Sequence, residues 1–204
     1  MKLLNLLGLT LAFGLMLGSV TAQKSETPTH ENIEKFTKDI EQYPEDADGY
    51  LLRGRAYVRE NSFDKAAADF TKALEVSEHP YYVSEALMNR GEVHIAQGNY
   101  PLAIADFGRI LEIKTAAVYK AQAYRNRANA YHRSGDNKTA LADIDKAVAM
   151  SSKLKTTGWK ERLAKAYELR ATINCGLRNK AKAAADEKRL AGFGSKITNK
   201  CSTK

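Results

Sequence analysis

Four arginines recur, each with an aspartate sixteen residues behind it: Arg53 and Asp69, Arg90 and Asp106, Arg127 and Asp143, Arg170 and Asp186. A guanidinium and a carboxylate suit one another because two parallel N–H donors meet two oxygens. One interval repeated four times points to partly buried pairs that fix how two segments pack. The alternative is a row of cationic side chains reading an acidic ligand, but the recurring aspartates would neutralise it. The other reactive residue types do not assemble. His30, His79, His94 and His132 are far apart and lack metal-ligand spacing with one another or with cysteine. Gly192-Phe193-Gly194 runs into a polar tail, not from a strand into a helix, so it does not resemble a phosphate loop. No Gly-x-Ser-x-Gly elbow is present. An enzyme is therefore not expected, and no metal or cofactor is implied.

The elements that would hold these pairs emerge from self-comparison. Tyr50-Leu-Leu-Arg-Gly-Arg-Ala-Tyr57 aligns with Leu87-Met-Asn-Arg-Gly-Glu-Val-His94 and with Tyr124-Arg-Asn-Arg-Ala-Asn-Ala-Tyr131. It aligns less well with Tyr167-Glu-Leu-Arg-Ala-Thr-Ile-Asn174. Within these segments Gly54, Gly91, Ala128 and Ala171 are each followed twelve residues later by Ala66, Ala103, Ala140 and Ala183. Four residues further stand Phe70, Phe107, Ile144 and, out of pattern, Glu187. Each unit reads as two amphipathic helices joined by a turn, Glu60-Asn61-Ser62 in the first, Gln97-Gly98-Asn99 in the second and Ser134-Gly135-Asp136 in the third. The small residues let helix axes approach, and the aromatic or Ile fills the space between units. Helices are predicted at 31–42, 47–60, 63–77, 80–97, 100–113, 116–134, 137–150, 157–176 and 179–191.

On these residues the chain resembles the tetratricopeptide repeat family, whose pattern is an aromatic, a Leu, a Gly, a Tyr, an Ala, an aromatic and a Pro. The family's Leu is Arg in all four units. Phe36-Thr37-Lys38 matches Phe70-Thr71-Lys72, so residues 31–42 read as an orphan capping helix before repeats at 47–80, 84–117, 121–154 and 164–191. The resemblance implies an all-α, right-handed superhelix of antiparallel helix pairs over 31–191. It also implies a scaffold that binds a protein or peptide partner in a concave groove lined by the first helices. Carried onto this chain, the groove positions are Leu51, Leu52, Arg55, Met88, Asn89, Glu92, Arg125, Asn126, Asn129, His132, Arg133, Lys165, Glu168 and Thr172. Arg55, Asn89, Arg125, Asn126, Asn129 and Arg133 are the expected ligand-binding residues; their alternative is a solvated polar face. The family's carboxylate clamp would need basic and amide residues where this chain has Leu51, Arg55, Asn89, Gln122 and Asn126. Only Asn89 matches, so that clamp is not expected.

Composition bounds the rest. Hydrophobic residues at 44% and charged residues at 27% are globular values and exclude a disordered chain. Residues 1–22 carry Lys2, an apolar core from Leu3 to Leu17 and a small-residue exit at Val20-Thr21-Ala22, which is the pattern of a cleaved signal peptide. An uncleaved anchor is the alternative. Residues 23–30 read as a polar linker and 192–204 as a basic tail. From Ser151 onward 14 basic residues face 4 acidic ones, which offers a second function: binding a polyanion or an anionic membrane surface. No specific nucleic-acid partner is implied. In an exported chain the two cysteines, Cys175 and Cys201, suggest a disulfide pinning the tail to the last repeat, against two separate thiols. Peptide mapping without reductant decides between them.

Overall fold

Abundant Ala, Lys, Leu and Glu with little Gly or Pro favours helix, because these side chains lose least freedom in adopting it. The computed structural model describes residues 28–154 and 156–194; the signal segment, Cys201 and the tail from 195 onward lie outside the described residues. Among the described residues the chain forms α1 (Pro28–Gln42), α2 (Ala47–Arg59), α3 (Phe63–Val76), α4 (Pro80–Ala96), α5 (Tyr100–Glu112), α6 (Ala117–Arg133), α7 (Asn137–Lys153), α8 (Trp159–Gly176) and α9 (Lys180–Gly192), with no strand. Successive helices pack against one another, and the first helices α2, α4, α6 and α8 also touch in series, so they form one continuous face of an all-α solenoid.

Some boundaries differ from the predicted ones. α1 begins at Pro28, three residues before the predicted start. α7 runs to Lys153 because Ala147, Val148 and Ser151 extend its buried side past Met150. Phe193, assigned to the tail, stacks on Tyr167 and meets the Trp159 ring edge-on, both at 6.3 Å, so it belongs to the last repeat's core. The turn inside each unit holds one residue in the left-handed region: Asn61, Gly98, Gly135 and Arg178, with φ of 57°, 77°, 96° and 61°. Gly takes that conformation without a Cβ penalty and Asn tolerates it, whereas Arg178 is strained.

Within each unit the first and second helices pack small residues against large ones. Phe70 and Phe107 are wholly buried, and a Cβ at Gly54 or Gly91 would lie 2.6 Å from a ring carbon of its facing Phe. Where the facing residue is Ile144 or Glu187, the small residue is Ala128 or Ala171. The aromatic ring therefore requires the missing methyl.

The recurring Arg and Asp meet at every unit. Arg53 donates through Nε and Nη2 to the two carboxylate oxygens of Asp69 at 2.8 and 2.7 Å. Arg90 and Asp106 repeat this at 2.9 and 2.7 Å, Arg127 and Asp143 at 2.6 and 3.1 Å, and Arg170 and Asp186 at 2.8 and 2.7 Å. The four aspartates are buried and the arginines half-buried. For Arg53, Arg127 and Arg170 the hydrogen bond to the aspartate raises the guanidinium pKa above its ordinary value, despite burial. The third nitrogen, Nη1, reaches the second helix of the preceding unit. Arg53 donates to Thr37 at 3.3 Å, Arg90 to Thr71 at 2.9 Å and Arg170 to Asp145 at 2.8 Å. The equivalent position facing Arg127 is Gly108, which has no side chain to meet it.

Two outcomes follow from this packing. Gly91→Ala forces the Phe107 ring to move, and overpacking of this kind costs roughly 1–3 kcal/mol; urea denaturation should show that loss, and an unchanged midpoint would reject the close-approach argument. Gly108→Thr places a hydroxyl where only Arg127 Nη1 stands nearby, 3.7 Å from the added Cβ, and relieves a helical glycine. It should raise unfolding free energy by about 1 kcal/mol; a lowered midpoint would contradict it.

Candidate functional site: the concave face

The face formed by α2, α4, α6 and α8 carries polar side chains that the core does not consume, and two cavities open on it. The first, about 240 Å³, lies between α2 and α4 and is lined by Arg55, Val58, Arg59, Phe63, Asn89, Glu92, Val93 and Ala96. Its walls are mainly apolar. The second, about 430 Å³, lies between α6 and α8 and is lined by Arg125, Asn126, Asn129, Lys165, Glu168, Leu169 and Thr172.

Two polar ties cross this face. At one end Glu85 on α4 accepts from Arg55 on α2 and, at 2.7 Å, from the Tyr119 hydroxyl on α6, so one carboxylate joins three units. Burial, followed by this hydrogen bond, holds the Tyr119 phenol well above its usual range. Further along, Asn126 on α6 donates to Glu92 on α4 at 2.8 Å and to the Met88 sulfur at 3.3 Å. Glu92 and Asn126 thus stand between the two cavities.

The expected ligand residues divide accordingly. Arg55 lines the apolar cavity, but its guanidinium is held by Glu85. Asn89 lines the same cavity and donates to the Glu85 carbonyl at 2.7 Å within its own helix. Asn126 also lines the larger cavity, but it is only 7% exposed and its amide is engaged by Arg125, Glu92 and the Met88 sulfur. Leu51 and Met88 are likewise buried in the core. Arg133 is exposed and lies over the Tyr100 ring at 5.6 Å, away from both cavities. The His132 imidazole is turned to the Asn137 side-chain oxygen at 2.6 Å.

Arg125 and Asn129 remain, one turn apart on α6, both lining the larger cavity. Among the described residues Arg125 has no ion-pair partner; Nε and Nη2 donate only to the neutral Asn126 oxygen, at 3.2 and 2.9 Å. Burial depresses its pKa below the ordinary guanidinium value, offset in part by the more distant Glu92 charge. Asn129 makes no hydrogen bond among the described residues. The apolar cavity was missed from sequence: Val58, Phe63, Val93 and Ala96 do not recur at one repeat position. No cluster of His, Cys, Asp and Glu able to hold a metal occurs among the described residues, and no described helix is long and apolar enough to cross a membrane.

The geometry is that of an α-helical repeat scaffold with a lined concave face. The chain belongs to the tetratricopeptide repeat family: one family profile matches residues 82–153 and another residues 40–83, together more than half of the sequence. Solved structures share the fold. MamA from Desulfovibrio magneticus RS-1 superposes with a TM-score of 0.65 at 17% identity, covering 81% of this chain and 85% of that one. The Cut9–Hcn1 hetero-tetramer of APC/C gives 0.67 at 15%, covering 81% of this chain and 30% of that one. YrrB, a repeat protein with an unusual peptide-binding site, gives 0.50 at 19%, covering 79% and 93%. No curated protein matches the chain in sequence.

Proposed function

We propose that this protein is an exported, non-enzymatic interaction scaffold that holds an extended segment of a partner protein along its concave face. The observation that carries the reading is the pair of cavities between successive first helices, one apolar and one with Arg125 and Asn129 presenting unspent donors. A main-chain segment needs hydrogen-bond partners along its length, and side-chain pockets give it identity. The similarly folded YrrB has a peptide-binding site, which supports a peptide as the kind of partner. Export rests on the signal-like residues 1–22, so the partner would be met in the periplasm or outside the cell.

Replacing Asn89, Arg125 and Asn129 together with Ala, Met and Ala should abolish capture of a partner from envelope extract. Thermal unfolding should stay close to wild type, because none of the three supports the Arg–Asp pairs. Capture at wild-type strength by the triple variant would reject the groove reading.

A further inference from the structure

The inference concerns what the segment must contain, and it rests on the groove reading above. The guanidiniums of the recurring row, Arg53, Arg90, Arg127 and Arg170, are each met by an aspartate, whereas Arg125, two residues before Arg127 on α6, donates only to an amide oxygen. Lys165, across the cavity, is paired with Glu161 at 2.7 Å. Arg125 is partly desolvated and forms no ion pair among the described residues. Glu92 and Glu161 act on it without direct contact, Arg162 opposes them and Glu168 shares the cavity lining, so a carboxylate seated directly on the guanidinium would relieve a standing cost. Asn129, one turn away on the same face, offers both an N–H donor and an oxygen acceptor. That combination suits a main-chain peptide group, so the carboxylate belongs to a residue within the segment and not to its C-terminus.

The apolar cavity supplies the second feature. Its seam between α2 and α4 and the Arg125 seam between α6 and α8 are two helix spacings apart, about 16–20 Å at roughly 8–10 Å per spacing. An extended chain advances about 3.3 Å per residue, so some five or six residues span them. We propose that the groove recognises a partner segment bearing an apolar side chain, seated between α2 and α4, and a Glu or Asp about five or six residues away, seated on Arg125.

The test uses the full chain and fluorescein-labelled, C-terminally amidated peptides of Ser and Gln carrying one Leu and one Glu, spaced by three, five, six or nine residues. A matched set replaces Glu with Gln, and one Gln peptide keeps a free C-terminus. By anisotropy, the Glu peptides spaced by five or six should bind roughly tenfold to a hundredfold more tightly than their Gln counterparts. In Arg125→Gln that advantage should vanish while Tm stays at or above wild type, since an unmatched charge has been removed. The peptide-side exchange needs no altered protein, so poor folding of the variant cannot mask the answer. Equal binding of Glu and Gln peptides, an advantage that survives Arg125→Gln, or preference for the free C-terminus would each overturn the inference. If Glu and Gln peptides bind alike and Ala96→Arg, which fills the apolar cavity, weakens both, the groove reading stands and the carboxylate falls. If no probe binds, or Ala96→Arg changes nothing, both fall.

Discussion

A guanidinium can satisfy two carboxylate oxygens at once only when the helices carrying them are in one register. Every unit of this solenoid depends on that condition. Arg90 on α4 and Asp106 on α5 meet through two hydrogen bonds of 2.9 and 2.7 Å, with Asp106 only 4% exposed. Sliding or rotating either helix would leave a desolvated charge behind. Two ions brought out of water need not be more stable than the Leu that the family pattern places here. Their effect is to exclude alternative packings, and the third nitrogen carries that restriction to the preceding unit through Thr37, Thr71 and Asp145.

Because these pairs and the Phe–Gly contacts lie between first and second helices, the opposite edge of each first helix is released from core duty. That release creates the groove. Its residues tie neighbouring units lightly, through Glu85 with Arg55 and Tyr119 and through Asn126 with Glu92. Beyond these ties, Arg125 and Asn129 line the larger cavity, Arg125 with no ion pair and Asn129 with no hydrogen bond among the described residues. The ion-paired arginines of the core contrast with Arg125, which donates only to a neutral amide oxygen, and the proposed site rests on that contrast.

Whatever recurred was legible in sequence. Arg–Asp at an interval of sixteen, Gly facing Phe and a turn residue able to adopt positive φ each appear in several units, and repetition distinguishes them from coincidence. Thr37, Thr71, Gly108 and Asp145 were legible too, each immediately after Phe36, Phe70, Phe107 or Ile144, but their types differ and no chemistry linked them. Features that occur once were hidden. Nothing in sequence pairs Arg55 with a Glu thirty residues on, so Arg55 read as free when Glu85 holds it. Asn126 looked like a ligand donor because family position alone does not reveal that Glu92 and Met88 from the neighbouring unit consume its amide.

The ladder is tested most directly by equilibrium urea unfolding of Asp106→Ala, alone and combined with Arg90→Leu. The single change strands a partly buried guanidinium and should lower the unfolding free energy by about 3–5 kcal/mol. The combined change removes both charges and should recover most of that loss. An Asp106→Ala midpoint equal to wild type, or a double variant as unstable as the two single changes added together, would contradict the claim that these pairs set the register of the solenoid.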